Sequence, residues 1–165
     1  MADRTTETPV DHPAPEHPPF RILPALNDRN TSYWTAGRDG VLRFQRCQDC
    51  GYYLHPAGVV CPKCWTKNLA YEDVSGRATV LTFTINHQPW MPVPELPFVL
   101  AIVGIEEQDG VRVTTNIVNC PVDDVYVGMP VTVLFEAHVE ENVWLPMFEP
   151  VLEPTADAAG TVAAG

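Results

Sequence analysis

Four cysteines in two pairs, Cys47-x2-Cys50 and Cys61-x2-Cys64, are the side chains in this chain best spaced to do chemistry. Each pair is a short hook that turns two thiolates toward one point. Two hooks on one point make a tetrahedral four-sulfur site, which suits a metal ion and leaves no position open for a substrate. Gly51 directly follows the first pair, where a tight turn aims backbone amides at a sulfur, and Pro62 fixes the turn in Cys61-Pro62-Lys63-Cys64. The spacing points to one structural zinc ion per chain, and iron in a rubredoxin-type site shares the geometry. Two disulfides are the competing reading, but they belong to an oxidising compartment, and the N-terminal residues carry no charged-then-apolar signal segment. His55 is the nearest alternative ligand. With four thiolates filling the tetrahedron, it is expected at the surface or in support of the ligands.

The remaining reactive residues do not assemble into a catalytic set. Of the five histidines, His12, His17, His55, His87 and His138, none lies near a serine or cysteine in a recognisable nucleophile motif. Cys120 ends an apolar stretch before Pro121 with no neighbouring cation in sequence to lower its pKa, so it reads as a buried structural thiol. The paired carboxylates Glu106-Glu107, Asp123-Asp124 and Glu140-Glu141 fall where turns are expected, and solvation accounts for them. The expectation is a non-catalytic protein.

The elements that must position the cysteines can be read around them. Residues 1–25 are rich in proline, residues 153–165 are small and polar, and both are expected to be loose tails. Residues 26–40 suit a short helix capped by Asn27 or Asp28 and ended by Gly37 or Gly40, with Leu26, Tyr33 and Trp34 as a small apolar face. Such a face is too short to stand alone and must dock on the chain's own core or on a partner. Residues 41–70 form a compact metal ribbon, in which Val41, Leu42 and Phe44 lead into the first hook and Tyr52, Tyr53 and Leu54 lead out.

Residues 71–152 read as β throughout. Thr79–Ile85 alternates with Leu81, Phe83 and Ile85 on one face, and the apolar run Phe98–Ile105 predicts a strand that is buried on both sides or strongly coiled. Gln108-Asp109-Gly110 is a hairpin turn, and strands follow over Val111–Ile117, Val131–Val139 and from Val143. Five strands with one longer connection after the third predict an OB-type Greek-key barrel, with an SH3-like barrel as the main competitor. The fold class is therefore mainly β: a short N-terminal helix, a rubredoxin-like ribbon and a five-stranded barrel.

The net charge of −11 sits almost wholly in residues 78–165, where Arg112 alone faces twelve acids. Residues 38–77 carry six basic and four acidic groups. A nucleic-acid-binding module is the alternative function, but such a protein needs cations to displace phosphate counterions, and the acidic barrel opposes it. No run approaches the roughly eighteen apolar residues that span a bilayer, so a soluble, cytoplasmic protein is expected. The segment from His87 to Pro97 holds four prolines with Trp90 and Met91 between them. An aromatic anchor on a stiff loop suits a partner surface or an acyl chain, as do Tyr33 and Trp34 in the helix.

In this order the modules resemble the acyl-CoA-associated zinc-ribbon/OB-fold proteins. The residues that carry the resemblance run from Tyr33-Trp34 with Gly37, through Leu42-Arg43-Phe44-Gln45-Arg46-Cys47 and Cys50-Gly51, to His55-Pro56 and Cys61-Pro62-x-Cys64. Ser75-Gly76-Arg77-Ala78-Thr79-Val80, Asn116-Ile117-Val118, Gly128-Met129-Pro130-Val131 and Leu145-Pro146-Met147-Phe148 continue it. The resemblance implies a non-catalytic subunit in a hetero-oligomer with a thiolase-like enzyme such as an aldolase, thiolase, acyltransferase or hydratase. It also implies that the OB domain helps hold the acyl-CoA. On that reading the cations near the ribbon, Lys63, Lys67 and Arg77, are candidates for the CoA phosphates.

Overall fold

The computed structural model describes residues 21–89 and 96–151. The expected C-terminal tail, most of the N-terminal one, and Trp90 with Met91 lie outside the described residues. The N-terminal segment is tied down earlier than expected. Arg21 donates to both oxygens of Glu136 at 2.9 and 3.0 Å, and both side chains are mostly buried.

The expected single helix over 26–40 is two short pieces. Helix α1 spans Thr31–Trp34, and a 3-10 turn follows over Ala36–Asp39. The side chain of Asn27 accepts from the backbone N–H groups of Arg29 and Asn30, which delays entry into the helix. The hydroxyls of Thr31 and Thr35 bond back to the carbonyls of Asn27 and Thr31, a local bonding that competes with a regular helix. Gly40, at φ 73°, ends the turn. The face docks on the chain's own core: Tyr33 is buried with Leu42 and Phe44. A Cβ on Gly37 would lie 2.4 Å from the Phe135 ring and 2.5 Å from Cβ of Trp144, so only glycine lets this turn lie flat on the strands beneath it.

Strand β1 (Leu42–Cys47) is the centre of a three-stranded antiparallel sheet, flanked by β2 (Tyr53–Leu54) and β3 (Leu69–Val74). Cys47 pairs with Leu69 and Leu42 with Val74, so β3 belongs to the ribbon along its whole length. The expected division at residue 70 therefore falls inside β3, whose pairing with β1 continues to the Ser75-Gly76 turn. Five further strands close a barrel: β4 (Arg77–Asn86), β5 (Phe98–Ile105), β6 (Arg112–Ile117), β7 (Pro130–His138) and β8 (Val143–Pro150). Their order is β4-β5-β6-β8-β7, with β7 returning to β4. The β6–β8 contact, Ile117 against Phe148, is parallel and every other pair is antiparallel. This is the OB order, and the connection after the third barrel strand holds a 3-10 turn over Val122–Asp124.

Two strand faces differ from the alternation expected of them. A bulge between Val80 and Thr82 shifts the register of β4, so Ala78 and Val80 point inward and Leu81 is thrown outward. Phe83 and Ile85, beyond the bulge, are half-buried against the core. On β5 the apolar run is not buried on both sides. Val99, Ala101, Val103 and Ile105 face the core, while Leu100 is 43% exposed. The outward Leu81 instead covers Gly104, which a Cβ would bring within 3.1 Å of it.

Candidate metal centre and contact surfaces

The two hooks are built alike. Strand β1 delivers Cys47, and the N–H of Gly51 closes onto the Cys47 carbonyl at 2.9 Å with Gly51 at φ 75°. In the second hook the N–H of Trp65 closes onto the Cys61 carbonyl at 3.0 Å with Trp65 at φ 63°. In each hook a backbone N–H also points at the first sulfur: Cys50 at Cys47 Sγ and Lys63 at Cys61 Sγ, both at 3.4 Å. Such donors stabilise thiolates.

The four sulfurs lie within 4.8 Å of one another, with Cys47 to Cys64 at 3.5 Å and Cys50 to Cys61 at 3.6 Å. Tetrahedral ligands about 2.3 Å from a zinc ion stand about 3.8 Å apart, so the cage fits one ion without rearrangement. Cys47 and Cys61 are fully buried beside Leu54, and among the described residues no fifth His, Cys, Asp or Glu joins the group. When bound, zinc here would cross-link the two hooks. His55 is not at the metal, nor on the surface. It sits among aromatic rings, 4.7 Å from Tyr33 and 5.0 Å from Phe44 between centroids, and burial pulls its pKa down to about 4.

The expected contact residues fall in different places. Lys63 and Lys67 are exposed at the metal end of the ribbon, and neither makes an ion pair among the described residues. Arg77 lies past the far end of β3 and pairs with Glu106 at 2.7 Å, so the structure does not bring it together with the two lysines. Tyr33 is a core residue rather than a surface anchor, and Trp34 is half-buried beside it. The residue missed in the sequence is Trp65, 77% exposed at the ribbon tip between Lys63 and Lys67. Its signal was available, because it stands where the first hook has Gly51, a left-handed position that bulky side chains rarely take.

Elsewhere a buried histidine and its carboxylate partner are committed to structure. His138 bonds Glu136 at 2.9 Å, and Arg21 grips the same carboxylate from the other side. Burial pushes the Glu136 carboxyl up, but the Arg21 and His138 hydrogen bonds outweigh it and hold it below its usual range. Cys120 is half-buried rather than buried, on a cavity of about 660 Å³ shared with Arg77, Asp124 and Glu149. Burial, and then the Asp124 charge, push its thiol up, which keeps it protonated and a poor nucleophile. Thr115, also buried, donates to the Pro146 carbonyl at 2.8 Å. No helix of the described residues is long and apolar enough to cross a membrane.

Comparison with known proteins agrees with this two-module reading. The ChsH2 rubredoxin-like zinc ribbon domain matches residues 34–70, and the ChsH2 C-terminal OB-fold domain matches residues 71–136. A probable enoyl-CoA hydratase alpha subunit of Thermomonospora curvata is 33% identical over 133 residues, 81% of this chain but 41% of that protein, so the chain spans about two-fifths of that relative's length. A DUF35 domain-containing scaffold protein of Methanocaldococcus jannaschii is 37% identical over 100 residues, 59% of this chain and 69% of its own. Among solved structures, the Ltp2-ChsH2(DUF35) aldolase contains a chain that matches at a TM-score of 0.70 and 33% identity, covering 78% of this chain and 98% of that one. A DUF35 protein from Sulfolobus solfataricus has the same fold at a TM-score of 0.55 and 16% identity. The shared cysteine cage, ribbon sheet and closed barrel, matched over these lengths, make the chain a member of the ChsH2/DUF35 family of zinc-ribbon and OB-fold proteins.

Proposed function

We propose that this chain is a non-catalytic accessory subunit that binds and stabilises a thiolase-like enzyme acting on acyl-CoA, and that it helps hold the acyl-CoA. The observation that carries this reading is the match to 98% of the DUF35 chain in an aldolase assembly at 33% identity. The names of the curated relatives, a scaffold protein and a hydratase alpha subunit, support it. The commitment of His138, Glu136 and Thr115 to internal hydrogen bonds supports a non-catalytic role.

The rigid ribbon tip is the surface through which the acyl-CoA is met. Trp65 offers a large apolar face, and Lys63 and Lys67 beside it suit the phosphates of CoA. Trp90 and Met91, which lie outside the described residues, are further candidates for an anchor on the partner or the acyl chain. Co-expression with thiolase-like enzymes of the same cell, followed by co-purification and an acyl-CoA turnover assay, tests the reading. A stable complex that turns over substrate is expected, and Lys63→Glu with Lys67→Glu should raise KM severalfold with kcat nearly unchanged. Turnover by the isolated chain, or failure of every such enzyme to associate, overturns it.

A further inference from the structure

We propose that the cavity between α1 and the ribbon sheet is a binding site for an uncharged ring carrying one hydroxyl or carbonyl group. The cavity holds about 230 Å³ and is walled by Trp34, Phe44, Leu54 and Pro56. That is the volume of about seven or eight waters, room for one six-membered ring with a short substituent. Pockets that enclose whole drug-sized ligands start at about 300 Å³.

Six polar side chains also line it, and four are already engaged. Arg43 is held by Asp73 at 2.5 Å, so its charge is answered. Gln45 accepts from the Gly58 N–H at 2.8 Å, Asn30 bonds Ala25 and Asn27, and the Tyr71 hydroxyl donates to the Arg29 carbonyl. The other two, Tyr33 and His55, make no hydrogen bond among the described residues, although their rings are 4.7 Å apart and Tyr33 is only 7% exposed. Among the described residues no fully buried side-chain nitrogen or oxygen is left without a partner, in keeping with a Tyr33 hydroxyl and His55 ring nitrogens that face the cavity they line. This cavity is the one that both residues line; His55 also borders a second cavity, beside Tyr52 and Pro62, that Tyr33 does not reach.

The polarity of the site follows. Burial alone pushes the Tyr33 phenol up and pulls His55 down to about 4, so both are neutral at neutral pH. A neutral phenol and a neutral imidazole offer donors and an acceptor but no charge. The Asp73 carboxylate offsets the charge of Arg43, so the cavity offers little compensation for the desolvation of an anion and none for that of a cation. A hydroxyl or carbonyl on a ring satisfies the two open groups, and the ring fills the aromatic walls. A purely apolar ring would leave them unpaired.

The zinc-loaded full chain titrated with p-cresol, toluene and benzoate, and followed by NMR, tests this independently of the accessory role. Saturable p-cresol shifts confined to Tyr33, the Trp34 indole, Phe44 and His55 are expected. Toluene should bind the same place about tenfold more weakly, the loss expected for one buried hydrogen bond. Benzoate should not bind. Tyr33→Phe should bring p-cresol down to the affinity of toluene while the Val99 and Val113 methyl signals stay in place, and His55→Phe serves as a second variant. Equal affinity for p-cresol and toluene in the unmodified chain, or p-cresol shifts elsewhere only, overturns the site. A further arm, which does rest on the accessory role, adds a co-purified partner enzyme. Loss of the p-cresol shifts then assigns the ring to a tyrosine of the partner, and their persistence assigns it to a free ligand.

Discussion

Val80, Val99, Val103, Val113, Val131, Val143 and Phe148 in the barrel are each no more than 1% exposed, whereas the metal end of the ribbon hides only Cys47, Leu54 and Cys61. The barrel also closes its own hydrogen-bonding edges, since β7 pairs with both β8 and β4. The ribbon's β2 is two residues long. One module is held by apolar burial, and the other needs a cross-link in place of a core. The difference points to a structural role for the metal: bound to the four cysteines, it would hold up the region that burial cannot.

Metal removal should therefore separate the two modules most sharply. Structural zinc contributes on the order of 10 kcal/mol to isolated zinc-finger peptides. A chelator, or Cys61→Ser, should release amide exchange protection across β1 to β3, while β5 and β6 keep theirs. Hydrogen exchange followed by mass spectrometry reads this directly. Equal loss in both modules would mean that the barrel leans on the ribbon. Phe148→Ala is the reciprocal test. This side chain is 0% exposed, and it bridges Ile117 on β6 and Val133 on β7. Truncation should cost about 3–5 kcal/mol in urea unfolding, with the zinc site still loaded as judged by metal analysis after gel filtration.

Most of the barrel and the metal cage were legible in the sequence because each rests on local pattern. The cysteine spacing defines the cage, and the alternation in residues 112–117 with the Gln108-Asp109-Gly110 turn defines a hairpin. What escaped depends on contacts distant in sequence. The β4 bulge that expels Leu81 follows from pairing with β5. The membership of β3 in the ribbon follows from pairing with β1 across the whole cysteine loop. His55 read as a surface or supporting residue because nothing near it in sequence shows that Tyr33, more than twenty residues earlier, folds over it. Gly37 read as a helix end, and its true use is the close approach to Phe135 and Trp144.

The His55 cluster makes stability depend on pH. Its folded pKa of about 4 lies below the ordinary value of about 6.5. Between those values the unfolded chain binds a proton that the folded chain does not. Stability should thus be full above pH 6.5 and fall as pH drops through the window, by at most about 3 kcal/mol. The cysteine thiolates also protonate and release metal in acid, so the informative quantity is the difference between the unmodified chain and His55→Phe at saturating zinc. That difference should shrink from pH 7 to pH 4. A difference independent of pH would show that the imidazole is not buried neutral.

The smallest effect concerns the joint between the modules, and the β5–β6 turn supplies an internal control for it. Gln108 reaches out of this turn to β2, accepting from the Tyr53 N–H at 2.8 Å and donating to the Tyr53 carbonyl at 3.1 Å. The side-chain amide thus stands in for a strand partner on the ribbon's open edge, in a half-buried place where water replaces it poorly. From the same turn, Glu106 pairs with Arg77 where both side chains are at least half exposed. Gln108→Ala should cost about 1–3 kcal/mol, as two such bonds lost. Glu106→Ala should cost about 0–0.5 kcal/mol, as exposed pairs do. If Gln108 is the joint, its loss should speed amide exchange at Tyr53 and Leu54 more than at any residue of β5 or β6. Equal acceleration on both sides would place the joint instead in the docked helix, where Gly37 rests on Phe135 and Trp144.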